Sequence, residues 1–342
     1  MTKNRINWID FGKGFTIFLV LLGHVFLGLY ESGKFPSYDK VLITITSQVY
    51  IFHIPVFFAL SGFFFKPVED IKSFKNFALK RTVVLGLPYI FYSIIHFILQ
   101  KAAGSSVRVP TTIHNLIDIY KTPLGVSWYL YTLWIISMVY GLLSVYIKRK
   151  EILFIISGVG FVIALLMNFD IYIVQKILVW GMFFMLGAIL RSVDLSKLSI
   201  KLVVGGAVIF DIIYMVCWSI YYRPNVKKMY VTYDTPKLWA IAFIVSVGVA
   251  FVIYPRVEKV FPRFFNYFSK YGKDSLGIYI LHAPICSMLR IIMLKVGITS
   301  VYIHIICGLV LGWFLSIVAT NILKKIPYIN IVLMPQKYIN FR

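Results

Sequence analysis

The chain has 342 residues, of which 60% are apolar and only 14% charged. That composition excludes a soluble globule, which would expose large apolar patches, and a disordered chain, which needs low hydrophobicity. The formal charge is +22, from 35 Lys and Arg against 13 Asp and Glu. The basic residues sit mostly in short connectors between apolar runs. They therefore read as a topology signal and an attraction to anionic lipid, or to an anionic cytosolic ligand such as a phosphorylated cofactor, and not as a nucleic-acid site.

A helix that crosses a bilayer needs about 20 mostly apolar residues. Ten runs meet this, at roughly 11–30, 41–65, 82–100, 127–147, 151–168, 172–190, 202–220, 237–254, 274–294 and 301–323. The sequence thus predicts an all-α integral membrane protein, a bundle of about ten transmembrane helices. The fifth and sixth runs are short and close together around Asp170, so a re-entrant pair is the alternative there. The connectors on the N-terminal side carry 22 Lys and Arg and the opposite ones 10, which predicts that both termini are cytoplasmic. The 221–236 loop, with Arg223, Lys227 and Lys228, runs mildly against the rule. Lys3 and Arg5 before the first run resemble a signal peptide. Asp10 and Lys13 interrupt its entry, however, and no small-residue cleavage site follows Gly23 and His24, so an uncleaved span is expected. No repeat or soluble domain shows, and residues 1–342 read as a single membrane domain. Cys217, Cys286 and Cys307 lie inside apolar runs without C-x-x-C spacing, as buried thiols do.

Ionisable groups within spans are costly, so each is a candidate for function. The first span holds Lys13 and His24, eleven residues apart. That spacing is close to three helical turns, putting both on one face about 16 Å apart along the axis. Lys13 is expected near the cytoplasmic surface and His24 in the outer half; a snorkelling lysine and a structural histidine are the plain alternatives. The second span contains FHIPVFFALSGFFF, with His53 and Ser61 polar and Pro55 and Gly62 bending or thinning the helix. After it, Lys66, Lys72, Lys75, Lys80 and Arg81 form a basic cluster. Positive-inside topology accounts for it, and so does a landing site for phosphates. The aromatics of VSWYLYTLW (residues 126–134) read first as an interfacial belt and second as the wall of an acceptor groove. Asp211, in the seventh span, could orient a histidine, pair with a lysine or be a neutral structural acid. The ninth span carries His282, expected with His53 in the inner half, and Arg290, expected to face lipid or a loop. No carboxylate or cysteine lies at ligand spacing with the histidines, so no metal is expected. His96 and His304 are intramembrane without further context, and His114 is expected to be solvated.

Taken in order, these pieces resemble the acyltransferase 3 family of membrane O-acyltransferases. They are Lys-x10-His, F-H-x-P-x-F-F-x-x-S-G, a basic loop running into Arg81 and Pro88-Tyr89, an aromatic fourth span, and S-L-x-I-Y-x-L-H ending at His282. The W-I-D…K-G…G-H opening is most similar to the branch named for fucose 4-O-acetylases. The resemblance implies transfer of an acyl group, usually acetyl from cytosolic acetyl-CoA, to a hydroxyl of a surface or secreted carbohydrate. It implies a multi-pass protein of the plasma membrane, with the glycan and the bilayer as partners, other polysaccharide-assembly proteins as further ones, and no nucleic acid. His24 matches the family's essential histidine, and Arg81 its basic motif. Lys13 stands where Arg is common, keeping the charge and losing the planar fork. The site so implied has His24, Lys13, His53 and His282 as catalytic candidates and Arg81, Lys80, Lys75 and Ser61 as candidates for binding the donor. The rival readings are a flippase or transporter for a lipid-linked saccharide, with the histidines and Asp211 as a proton relay, and a scaffold of an export complex.

Overall fold

Each of the ten apolar runs contains a helix among the described residues. The computed structural model describes residues 6–104, 111–167, 169–222 and 240–339, with the side chains at 196 and 217–222 left aside. Lys3, Arg5, Arg223, Lys227, Lys228 and the Cys217 side chain lie outside the described residues. In chain order the helices are α1 (Asn7–Ser32), α2 (Asp39–Gly62), α3 (Ile71–Arg81) and α4 (Leu87–Ala103). The short α5 (Ile113–Ile117) precedes α6 (Trp128–Tyr146), α7 (Lys150–Leu166), α8 (Tyr172–Leu190) and α9 (Ile200–Tyr222). The last four are α10 (Ala240–Val260), α11 (Pro262–Gly272), α12 (Ser275–Lys295) and α13 (Val301–Lys325). No strand occurs among the described residues. Eight helical stretches there are long and apolar enough to cross a membrane. The 17-residue α7 and α9 complete the ten runs without entering that set. The fifth and sixth runs form two separate helices, α7 and α8, packed along one another.

The exterior is apolar as well as the core. Ile155, Val159 and Val162 on α7, Ile209, Ile212 and Ile213 on α9, and Val310 and Phe314 on α13 are all exposed. Backbone groups satisfied within each helix and an apolar outer face are what hydrocarbon demands.

Helix α1 is the hub, packed against α2, α10, α11, α12 and α13. Two pairs of glycines set the closest crossings. A Cβ on Gly14 would lie 1.9 Å from the Phe268 carbonyl oxygen, and one on Gly272 would lie 1.7 Å from that of Asp10. Likewise a Cβ on Gly62 would lie 1.8 Å from the Phe184 carbonyl oxygen, and one on Gly187 would lie 1.9 Å from that of Ala59. Small residues at such crossings let backbones touch, which is how helices associate where lipid offers no hydrophobic drive.

Helix α11 falls between the eighth and ninth apolar runs, at 255–273, where the sequence predicts only a connector. Phe265 and Phe268 are buried from it, and the Phe265 ring stacks on Phe11 at 5.0 Å between centroids. Arg263 stays exposed. An eleven-residue amphipathic helix is too short to read as a span. The third span also starts earlier than expected. Asp70 accepts a hydrogen bond from the Ser73 amide at 2.6 Å and caps α3. α3 then continues through a π-helical turn, Thr82–Gly86, into α4. Arg81 is the residue just before that turn, and such insertions are frequent at functional positions.

Candidate functional site

Helices α1 and α12 bring two of the expected histidines together. With the backbones locked at Gly14 and Gly272, ten residues of each chain segment lead to His24 and to His282, whose ring centroids are 5.1 Å apart. The expected depth difference between them therefore does not hold. It rested on starting every helix at the edge of its apolar run, whereas the first turns of α1 run beside α11.

The third histidine comes from α2. His53 lies 4.8 Å from the Tyr50 ring, and Tyr50 in turn lies 6.0 Å from His24. Gly23 makes room for this, since a Cβ there would meet the Tyr50 ring at 2.6 Å. His24, His53 and His282 thus form one cluster contributed by three helices. His24 is half-buried, while His53 and His282 are buried.

Backbone carbonyls fix the tautomers of two of them. His53 Nδ1 lies 2.7 Å from the Val49 carbonyl oxygen, and His282 Nδ1 lies 2.7 Å from that of Tyr279. A carbonyl only accepts, so each Nδ1 donates the proton and each Nε2 of the neutral ring carries a lone pair. The Nε2 of His282 is buried with no hydrogen-bond partner among the described residues. A basic nitrogen held in one orientation and left without a hydrogen-bond partner is a candidate proton acceptor.

From His282 a line of polar rings leads towards Ser61. The Tyr279 ring is 5.8 Å from His282, and Tyr129 is 5.5 Å from Tyr279. The Tyr129 hydroxyl shares a hydrogen bond of 3.0 Å with the Ser61 hydroxyl and lies 3.2 Å from the Phe57 carbonyl oxygen. Beyond Ser61, Phe64 carries the Lys13 ammonium 5.4 Å from its ring centroid. Tyr129 and Tyr279 are not among the candidates the sequence offers by itself; the aromatics of VSWYLYTLW read first as an interfacial belt and second as the wall of an acceptor groove.

The basic candidates stand on another element. Lys75, Lys80 and Arg81 all belong to α3, with both lysines exposed and Arg81 half-buried, its guanidinium 5.1 Å from the Phe77 ring centroid. Arg290 corrects an expectation. It faces neither lipid nor a loop but packs on α1, where a Cβ on Gly28 would lie 1.9 Å from its Nη1. It lies within electrostatic reach of His24. Lys176 is 3% exposed, with its ammonium 5.1 Å from the Trp128 ring and 5.0 Å from the Tyr172 ring. His304 is buried and sits against Phe35. His96 hydrogen-bonds Gln100, and His114 is exposed on α5. Among the described residues no group of three or more His, Cys, Asp or Glu is placed to hold a metal ion.

The structure is thus an apolar helical bundle with a cluster of three histidines beside a line of hydroxyl-bearing side chains. The chain matches the acyltransferase domain of the acyltransferase 3 family over residues 6–321, and it belongs to that family. Among curated proteins it is 27% identical over 163 residues to the nodulation protein NolL of Mesorhizobium japonicum, covering 48% of this chain and 42% of that one. It is 29% identical over 130 residues to the NolL of Sinorhizobium fredii, covering 38% and 34%. The chain thus spans less than half the length of the curated relatives it matches. No solved structure matches it.

Proposed function

We propose that the protein is a membrane O-acetyltransferase that moves an acetyl group from acetyl-CoA to a hydroxyl of a cell-surface or exported carbohydrate. The observation that carries this reading is the His24–His53–His282 cluster with the open Nε2 of His282, in a chain of the acyltransferase 3 family.

Acyl transfer to a hydroxyl needs a base, a stabiliser for the tetrahedral oxyanion and exclusion of water. Arg81, with Lys80 and Lys75, holds the phosphates of the donor at the cytoplasmic mouth, where the guanidinium offers paired hydrogen bonds. The thioester arm runs past Lys13 and Ser61 towards the histidines. The roughly 16 Å from Lys13 to His24 suits an extended arm. A histidine Nε2 takes the proton of the acceptor hydroxyl as its oxygen attacks the thioester carbonyl. The carbon–sulfur bond then breaks, the ester carbon–oxygen bond remains, and the imidazolium returns its proton to the departing thiolate. In the covalent variant a ring nitrogen of His24 attacks the thioester, the carbon–sulfur bond breaks and the thiolate leaves with the ring's N–H proton; the acceptor hydroxyl then takes the acyl group and its proton goes to the freed imidazole. Both termini lie in the cytoplasm, and the bilayer is the plasma membrane.

The test uses purified protein in nanodiscs, with binding of acetyl-CoA compared with free CoA and acetate, for the wild type and Arg81→Ala. Saturable acetyl-CoA binding that weakens with salt and on loss of Arg81 is the expected result. Folded protein that binds no acetyl-CoA would turn the assignment to the transporter reading, with the basic cluster as a topology signal alone.

A further inference from the structure

One cavity in the described residues lies away from the histidines. It has a volume of about 250 Å³ and opens between α2, α9 and α10. At about 30 Å³ per water molecule, that is room for about eight waters, or for a single sugar ring. Its lining is unlike a packing flaw between apolar helices. Asp211 of α9 is exposed in it, and the Gln48 amide of α2 hydrogen-bonds Asp211 and also donates from Nε2 to the Met215 Sδ at 2.5 Å. Ser246 of α10 also lines it, together with the rings of Phe52, Phe210 and Tyr214.

Polar and ionisable side chains inside a spanning bundle are expensive, and they are retained where they meet a polar ligand or water. The lining contains no Lys, Arg or His, so it offers nothing to an anion. A lipid tail would leave the carboxyl and the amide facing hydrocarbon. With the Gln48 N–H groups engaged by Asp211 and Met215, the amide carbonyl and the carboxyl present acceptors at neighbouring positions, to which adjacent hydroxyls can donate. The aromatic rings supply flat apolar surfaces for the C–H face of a pyranose.

We propose that this cavity is a sugar subsite, in which Asp211 and Gln48 hold hydroxyls of an acceptor ring other than the one that is acylated. The proposal rests on the carbohydrate-acceptor reading given above. Gln48 precedes His53 by five residues on α2, about 7.5 Å along the axis and about 140° around it. The subsite thus lies across α2 from the reacting centre, where it contributes binding energy remote from the chemistry.

The experiment reads the cavity without any acyl donor. Ala207, half-buried in the lining, is changed to Cys in a variant with Cys217, Cys286 and Cys307 replaced by Ala, reconstituted in nanodiscs. Maleimide labelling is timed with increasing methyl glycosides of glucose, galactose, mannose and N-acetylglucosamine, and with glycerol as the non-cyclic control. At least one glycoside should slow labelling fivefold or more, saturably, and the protection should vanish in Asp211→Leu and in Gln48→Leu. Acetyl-CoA binding by those two variants should match the parent, which also reports that they fold. If no glycoside protects, or protection survives both substitutions, the subsite is overturned. The donor reading stands or falls separately, on acetyl-CoA binding by the parent protein.

Discussion

His24 and His282 face one another across α1 and α12, 5.1 Å between ring centroids, and the contact that sets their register lies ten residues away at Gly14 and Gly272. Sequence distance along each segment, counted from that glycine contact, converts a backbone crossing into side-chain alignment. The site therefore depends on residues that carry no chemistry.

Gly14→Ala tests this dependence. The added Cβ would meet the Phe268 carbonyl oxygen, which is backbone and cannot swing aside. The helices must part, at a cost of about 1–3 kcal/mol. A lowered unfolding temperature in nanodiscs, with acyl transfer falling further than the loss of folded protein explains, is the expected result. Full stability would show that the crossing is slack.

The open Nε2 of His282 gives a second prediction. His282→Ala should lower the rate of acyl transfer by about 10²–10⁴-fold, the usual contribution of a general base. Acetyl-CoA binding should persist, because the basic donor-binding candidates stand on α3. Single-turnover transfer measured beside equilibrium binding separates the two effects. His24→Ala should also abolish transfer, and under the covalent variant it alone removes any acyl-protein species trapped by rapid acid quench.

The helices were legible because lipid imposes a strict rule: each crossing needs a long apolar run, and each of the ten runs contains a helix among the described residues, eight of them long and apolar enough to cross. The short α11 obeys no such rule. Arg263 and Lys270 gave residues 255–273 the look of a loop while Phe265 and Phe268 were packing against α1. His24, His53 and His282 could be picked out singly as polar groups in apolar surroundings. Their convergence could not, because relative depth is set by glycine contacts between distant segments. Arg290 escaped for the same reason, since only Gly28 on another helix reveals where its guanidinium goes.

Ser61 and Tyr129 form a pair whose worth can be measured. Their hydroxyls share a hydrogen bond of 3.0 Å between α2 and α6. A double-mutant cycle of Ser61→Ala and Tyr129→Phe should return a coupling of about 0.5–1.5 kcal/mol in unfolding free energy. If Ser61 also touches the donor arm, Ser61→Ala should raise the KM for acetyl-CoA while Tyr129→Phe leaves it less changed. Equal effects on KM would assign Ser61 to positioning the helix alone.

The cap of α3 makes a prediction about pH. The Ser73 amide donates to Asp70, and this holds the Asp70 carboxyl below its usual range, with Ser73 the leading cause. The folded pKa is depressed, so the stabilisation is fully present above the unfolded value of about 3.9 and is lost as pH falls through the lower folded value. Near neutral pH the cap is intact, and acidification below the ordinary carboxylate range should release the Ser73 amide to exchange. Asp70→Ala should show that faster exchange already at pH 7, after correction for the intrinsic rate. Because α3 carries Lys75, Lys80 and Arg81, the same variant should weaken acetyl-CoA binding without touching any of them; amide exchange and acetyl-CoA titration on one preparation would read both ends of that link. Faster exchange with unchanged binding would separate the basic face from the order of the first turn.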